Sequence, residues 1–192
     1  GLGFDDPRSK LYFEFLRILE ENGEAKYLLE NVQMRYDWQQ IINGHLNRPP
    51  VLINSALVSA QNRNRLYWSN FNFWPPADKN ISLQTILERD VEALRPYKLN
   101  PTPSRKRMWL MQCPNITHRH KSNCLTTKQD RQNNAGLIAY EDFCRVLTEI
   151  ECERLQTLPD NYTAGVSKTH RYEALGNCWT VDVIAHILSS LK

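Results

Sequence analysis

The segment at residues 61–69 constrains this chain most, because it sets two arginines at alternate positions ahead of a strongly β-forming run. Its branched and aromatic residues predict a strand over 65–69. Alternation would place Arg63 and Arg65 on the same face of an extended segment. Two guanidinium groups on one face, beside aromatic rings, suit a ligand that is flat, polar and partly anionic, and a nucleotide meets that description.

The first 70 residues alternate between helical and strand patterns, which predicts an α/β fold with a largely parallel sheet. Apolar residues at helical spacing predict one helix over 11–19, ended by Asn22-Gly23, and another over 37–42, stopped by Asn43-Gly44. The expected strands cover residues 26–29, 50–53 and 65–69.

Beyond this part the pattern changes, and the chain becomes rich in proline and in basic residues. We expect an irregular inserted subdomain there, with only a short helix near 83–87. Helical order returns where Thr148 can cap a helix, with Glu151 three positions on as its capping-box partner. That helix would end near Pro159, and a last amphipathic helix would span 181–191. The predicted divisions are an α/β core over 1–70, an insert over 71–140 and C-terminal helices over 141–192.

The basic charge is concentrated in one stretch of the chain. The formal net charge is +3, but residues 66–140 hold 11 Lys and Arg against five acids, whereas the remainder is slightly acidic. A basic insert in an acidic body suits a polyanion, most commonly nucleic acid. A solvated basic loop without a partner explains the charge equally well.

Composition also limits the kind of site and the compartment. The five cysteines show no CxxC spacing, and the five histidines show no HExxH pattern. Both observations argue against a disulfide framework and against a metal site, and they fit a reducing, cytoplasmic setting. No apolar run reaches the length that a membrane span requires.

Glu30 follows the apolar run Tyr27-Leu28-Leu29 of the first predicted strand. Ligands of open α/β sheets bind outside the carboxyl ends of the strands, so Glu30 would lie where a carboxyl group can hold or donate a proton. Taken alone, an exposed structural glutamate is the simpler interpretation.

Four short motifs occur together in a fixed order, and their combination is specific although each is weak alone. With this set, the chain resembles the cytosine-5 DNA methyltransferases along essentially its whole length. The resemblance is greatest to bacterial and prophage members whose catalytic region is similar to that of the de novo animal enzymes. It implies an incomplete Rossmann-like methyltransferase sheet with an inserted, irregular target recognition subdomain. The motifs are Glu30-Asn31-Val32, Gln61-x-Arg63-x-Arg65, Arg154-Leu155-Gln156 and Gly176-Asn177.

The resemblance also implies roles for individual residues. Glu30 matches the glutamate that binds a flipped cytosine through its exocyclic amine and ring nitrogen. Arg65 matches the arginine that holds the cytosine carbonyl, and Arg63 would support this catalytic strand and the backbone nearby. S-adenosylmethionine is the implied cofactor, and the residues implied to line its pocket are Leu11, Asn177 and Trp179.

The implied chemistry accounts for these residue types. A thiolate adds to the cytosine ring, and protonation or hydrogen bonding at the ring nitrogen stabilises the resulting enamine. The base must first leave the double helix, so a pocket that combines a carboxyl group with a guanidinium is expected.

Double-stranded DNA is the implied partner of the basic insert, where Lys and Arg would hold phosphates and polar side chains would read base edges. Cys124-Leu125-Thr126-Thr127 resembles the Thr-Leu-Thr segment that ends such regions. A polar strand with a partly buried leucine is an equally good interpretation of these four residues. The expected DNA-contacting residues are Arg105, Lys106, Arg107, Arg119, Lys121, Thr126, Thr127 and Lys128.

The chain departs from the family pattern in two respects. It contains neither a Phe-x-Gly-x-Gly cofactor loop nor a cysteine preceded by proline, so no nucleophile is assigned. We therefore expect the C-terminal portion of a DNA cytosine-5 methyltransferase, inactive alone and partnered by an N-terminal half or a second copy. The alternative is a non-catalytic DNA-binding or regulatory module that keeps the methyltransferase scaffold.

Overall fold

The computed structural model describes residues 10–23, 25–100, 102–103, 106, 115–128 and 135–191. The chain divides into two compact units, which are described separately. Unit 1 comprises Gly1–Ile53, Asn64–Pro75 and Ser190–Lys192, and unit 2 comprises Asn54–Arg63 and Pro76–Ser189.

Unit 1 is built on a three-stranded sheet in the order β1-β3-β2. Strands β1 and β3 are antiparallel, with Glu30 opposite Tyr67, so the prediction of a largely parallel sheet is wrong for this pair. Sequence periodicity does not fix strand direction, because the direction depends on pairing between distant segments. The elements of this unit are α1 (Lys10–Asn22), β1 (Leu28–Val32), α2 (Tyr36–Leu46), β2 (Val51–Asn54) and β3 (Asn64–Ser69).

The two helices of unit 1 end in different ways. The helix predicted over 11–19 is confirmed as α1, and Gly23 follows it with a φ of +56°. The predicted stop of α2 at Asn43-Gly44 is wrong, because the helix continues to a left-handed Asn47 with a φ of +50°. An interior glycine costs a helix about 1 kcal/mol, and tertiary contacts offset this cost. The Trp68 Nε1 donates to Asn43 Oδ1 at 2.8 Å, and Ile42, Leu66 and Trp68 form the buried core.

The regular structure of unit 2 is mostly helical, and within its described residues β4 and β5 form a small antiparallel sheet. Its core joins residues that are distant in sequence, including Ala60, Leu83, Leu125, Leu155 and Leu175. The elements are a 3-10 turn (Ser55–Leu57), α3 (Leu83–Ile86), α4 (Val91–Leu94), a second 3-10 turn (Arg95–Tyr97), β4 (Leu137–Ala139), β5 (Cys144–Val146), α5 (Glu149–Leu155), α6 (Lys168–Asn177) and α7 (Val181–Leu188).

Helix α3 confirms the short helix predicted within the insert, whereas α5 and α7 end earlier than predicted, at Leu155 and Leu188. The capping box at the start of α5 is confirmed. The Thr148 Oγ1 accepts from the Glu151 backbone N–H at 3.1 Å, and the Glu151 carboxylate accepts from the Thr148 N–H at 2.9 Å. Arg145 also donates to both Glu151 oxygens, at 2.7 and 2.8 Å, in a fully buried ion pair.

Candidate functional site

Glu30 and Arg65 meet on one face of the unit 1 sheet. Glu30 lies opposite Tyr67 and Arg65 lies opposite Val32, so the two are diagonal neighbours on adjacent strands. Residues two positions apart in a strand share a face, and diagonal neighbours are within reach of long side chains. The Arg65 Nε lies 2.9 Å from the Glu30 Oε1. Glu30 therefore lies inside β1. The sequence led us to expect Glu30 beyond the carboxyl end of this strand, and that expectation is wrong.

The Glu30–Arg65 pair is partly shielded but reachable. The Glu30 side chain is 19% exposed and the Arg65 side chain is 15% exposed. The Arg65 Nη1 also donates to the Asn64 carbonyl at 2.8 Å, which fixes the plane of the guanidinium. A carboxylate and a guanidinium held side by side offer a hydrogen-bond acceptor next to an array of donors.

Arg63 has different surroundings, in unit 2. It precedes β3, and its backbone N–H donates to the Asn54 Oδ1 at 2.9 Å. Its guanidinium donates to the carbonyls of Leu125 at 3.0 Å, Gly176 at 3.3 Å and Cys178 at 3.0 Å. The side chain is only 5% exposed. Since backbone carbonyls occupy its donors, the expectation of two ligand-facing arginines on one strand face is wrong for Arg63.

Two motif glutamines form a buried polar network in unit 2. The Gln61 Nε2 donates to the Leu155 carbonyl at 2.7 Å and to the Gln156 Oε1 at 2.9 Å. The Gln156 Nε2 donates to the Leu175 carbonyl at 2.7 Å, which ties the end of α5 to α6. The Thr180 hydroxyl completes the network 3.0 Å from the Gln156 Oε1. The sequence marked both glutamines as motif members, but it gave no sign that they bind each other.

The residues expected at the cofactor have exposed side chains. Leu11, on α1 of unit 1, is 75% exposed. In unit 2, Asn177 is the exposed last residue of α6, and Trp179 is 45% exposed just after it. An amide and an indole ring near the end of one helix can hydrogen-bond and stack on an adenosine-like ligand. The chemistry of these side chains therefore fits S-adenosylmethionine.

The segment that ends the basic insert is not a strand, and Leu125 is completely buried. The alternative of a polar strand with a partly buried leucine is therefore wrong. Thr126 and Lys128 are exposed, whereas Thr127 is half-buried.

The basic residues of the insert differ in their availability. Lys121 donates to three backbone carbonyls, those of Ala56, Ser59 and Ile81, at 2.7 to 2.9 Å. Desolvation by burial lowers the pKa of Lys121. We therefore revise the expectation of a phosphate contact for Lys121. Lys106 is exposed, and Arg119 donates to the Asn123 Oδ1 at 2.8 Å, whereas Arg105 and Arg107 lie outside the described residues.

Two absences hold for the part of the chain that the structure describes. None of its helices is long and apolar enough to cross a membrane. No three of its His, Cys, Asp or Glu side chains come together in a way that could hold a metal ion.

Comparison with known proteins gives one consistent family. A model of the C-5 cytosine-specific DNA methylase family matches residues 52–192. The type II methyltransferase M1.ScrFI of Lactococcus lactis subsp. cremoris is 27% identical over 229 residues, covering 99% of this chain and 57% of the relative. The type II methyltransferase M.HaeII of Haemophilus aegyptius is also 27% identical, covering the whole chain and 68% of the relative. The chain thus spans somewhat more than half the length of these relatives.

Solved structures of methyltransferases share the fold. The S. pombe Dnmt2 methyltransferase superimposes with a TM-score of 0.69 at 21% identity, covering 98% of this chain and 73% of that protein. A candidate DNA modification methyltransferase encoded within prophage Cp of E. coli has a TM-score of 0.68 at 18% identity, with 99% and 75% covered. The mixed α/β architecture with small sheets is therefore that of Dnmt2-type methyltransferases.

Proposed function

We propose, from the premise that this chain belongs to the C-5 cytosine-specific DNA methylase family, that it carries parts of a DNA cytosine-5 methyltransferase. These parts bind the target base and recognise the DNA. The enzyme transfers a methyl group from S-adenosylmethionine to cytosine in duplex DNA. The observation that carries this proposal is the Glu30–Arg65 pair on one sheet face, 2.9 Å apart and partly open to solvent.

The order of groups in this pair matches one edge of cytosine. That edge presents an amine donor, then a ring nitrogen, then a carbonyl acceptor. One oxygen of the Glu30 carboxyl group accepts from the amine and the other, protonated, donates to the ring nitrogen, and the Arg65 guanidinium donates to the carbonyl. In this proposal the base takes over the hydrogen bonds that the two side chains now make to each other. A site built to pair polar groups discriminates by about 10⁴-fold or more against an analogue that leaves those groups unpaired.

The same pair assists the chemical step. When a thiolate adds to the cytosine ring, negative charge moves toward the ring nitrogen and the carbonyl. A proton held by Glu30 and the fixed positive charge of Arg65 stabilise that charge in a partly shielded site. None of the five cysteines of this chain follows a proline, and the thiolate is not assigned to any of them.

The cofactor and DNA surfaces are assigned from the family resemblance. Leu11, Asn177 and Trp179 bind S-adenosylmethionine, which supplies the methyl group. Thr126 and Thr127 contact the DNA backbone with the basic residues of the insert, with the exception of Lys121. Exposed Lys and Arg side chains bind phosphates by releasing counterions, so the affinity for DNA falls steeply as salt rises. The basic residues assigned to this surface are Arg105, Lys106, Arg107, Arg119 and Lys128.

Product analysis tests this function. The complete protein containing this chain is incubated with duplex DNA and methyl-labelled S-adenosylmethionine, and the methylated base is identified. We expect label in 5-methylcytosine, and we expect the Glu30→Gln variant to lose about 10²- to 10³-fold in rate, as when one stabilising group is removed from an active site. The matched control is Glu20→Gln on the exposed face of α1, which should keep the wild-type rate.

Two results would count against the proposal. Salt-dependent DNA binding without methyl transfer by the complete protein would favour the non-catalytic DNA-binding module. Full methyl transfer by the Glu30→Gln variant would remove the proposed role of Glu30.

A further inference from the structure

The two segments of unit 2 assigned to the DNA and to the cofactor lie in direct contact. A Cβ atom added to Gly176 would lie 2.2 Å from the Thr126 carbonyl carbon and 2.3 Å from the Thr127 nitrogen. Real Cβ atoms essentially never come closer than 3.0 Å to such atoms. The backbone of α6 therefore packs against the Thr126–Thr127 peptide group with no side chain between them, and only glycine permits this approach.

Arg63 joins the same two segments. Its Nη1 donates to the Leu125 carbonyl at 3.0 Å, and its Nη2 donates to the Gly176 and Cys178 carbonyls at 3.3 and 3.0 Å. The Gln61 Oε1 adds a bond from the Leu125 N–H at 3.2 Å. A planar guanidinium holds several acceptors in fixed directions, which a lysine ammonium on a flexible stem does not.

Each joined segment turns some residues inward and others outward. Leu125 and Leu175 are buried, whereas Thr126 and Asn177 are exposed. The outward residues are the ones assigned to ligands, and the inward side holds the Arg63 contacts. A small displacement of one segment must therefore move the other, because a packed contact does not deform gradually.

We infer that Arg63 is a positioning residue that couples the DNA-facing segment at 124–127 to the cofactor-facing segment at 176–179. This inference rests on the proposed function. A ligand that immobilises either segment immobilises both, so the second ligand meets an already ordered site and binds more tightly. Such coupling is reciprocal, and its usual size is about 5- to 150-fold in affinity.

Hydrogen exchange in the complete protein tests the coupling with one ligand at a time. S-adenosylhomocysteine is added without DNA, and amide exchange is followed in peptides covering 123–128 and 175–180. In the wild type we expect at least about 5-fold slower exchange in both peptides. In Arg63→Lys we expect the slowing to be confined to 175–180, with the effect on 123–128 below about 2-fold. Arg95→Lys makes the same change at an exposed arginine paired with Glu92 and Asp142, and it should behave as the wild type.

The ratio of the amide exchange rates at 123–128 measured with and without S-adenosylhomocysteine separates coupling from a merely structural role. A structural role would raise exchange at 123–128 in Arg63→Lys but leave that ratio unchanged, which overturns the inference. Gly176→Ala, which forces the two segments apart, should bring this ratio close to one, as Arg63→Lys does. Slowing confined to 175–180 in the wild type also overturns the inference and leaves the proposed function standing. Failure of S-adenosylhomocysteine to bind the wild type overturns the proposed cofactor site and the coupling together.

Discussion

Glu153, in α5, is a fully buried carboxylate whose charge is balanced by its contacts. It accepts from the Asn161 N–H at 2.6 Å, from the Thr163 N–H at 2.8 Å and hydroxyl at 2.5 Å, and from the Arg171 Nη2 at 2.8 Å. Burial opposes ionisation, but these hydrogen bonds outweigh it, so the pKa of Glu153 lies below its ordinary value of 4.5. The Glu153 carboxylate therefore connects the loop after α5 to Arg171 in α6.

The lowered pKa predicts how stability depends on pH. A carboxyl group with a depressed folded-state pKa stabilises the fold above its ordinary pKa, and this contribution is lost as the pH falls through the folded-state pKa. Glu153→Ala should cost about 3–5 kcal/mol at pH 7, because it leaves Arg171 without its buried partner. It should also flatten the loss of stability below pH 4.5. Urea unfolding from pH 3 to 7 measures both effects.

The matched control for this prediction is Glu173→Ala, at an exposed position of α6. Surface substitutions of this kind usually change stability by less than about 0.5 kcal/mol. Equal costs for the two variants at pH 7 would contradict the account of Glu153.

Among the helices, α5 and α6 start with caps of unequal strength. The Thr148 hydroxyl accepts from the Glu151 N–H at 3.1 Å and donates to the Glu88 carboxylate at 2.5 Å. The Ser167 hydroxyl accepts from the His170 N–H at 3.4 Å, near the limit of a hydrogen bond. Thr148 therefore joins α5 to the chain ahead of α4, whereas Ser167 contributes a single long bond within its own helix start.

The difference predicts unequal costs for two equivalent substitutions. Thr148→Ala should reduce the free energy of unfolding by about 2 kcal/mol, at the upper end for a helix cap. Ser167→Ala should cost about 0.5 kcal/mol, at the lower end of the same range. Urea midpoints at constant slope measure both costs, and a larger cost for Ser167→Ala would refute the ranking.

The same helices show how much local sequence could predict. The capping box of α5 was predictable because Thr148 and Glu151 are three residues apart and their contact is local. Helix α6 was not predicted, because only Tyr172 and Leu175 are buried along it and it presents no apolar stripe. The extension of α2 through Gly44 was missed because it depends on the bond from Trp68 to Asn43, which lie 25 residues apart in the chain.

For the candidate site, too, local sequence identified residues but not their contacts. Glu30 and Arg65 were named from their motifs, and their meeting follows from strand pairing that the sequence did not fix. The carbonyls around Arg63 belong to segments more than 60 residues away, so its burial could not be read from the alternation of two arginines.

At the scale of the whole molecule, the candidate residues are distributed over two compact units. Unit 1 holds Leu11 and the Glu30–Arg65 pair, and unit 2 holds Arg63, Asn177 and the insert from Pro76 onward. The family match at 52–192 includes Arg65 and all of unit 2, whereas Glu30 lies before it. In the proposed function, Glu30 and Arg65 act together on one base.

A double-mutant cycle on methyl transfer tests this claim most directly. The kcat/KM of the complete protein is measured for wild type, Glu30→Gln, Arg65→Lys and the double variant, and DNA binding is recorded for each. If the pair acts as a unit, each single change lowers kcat/KM by about 10²-fold or more, and the double variant loses little beyond the worse single variant. Wild-type kcat/KM in either single variant, or losses that simply multiply in the double variant, would contradict a shared base-binding role for Glu30 and Arg65.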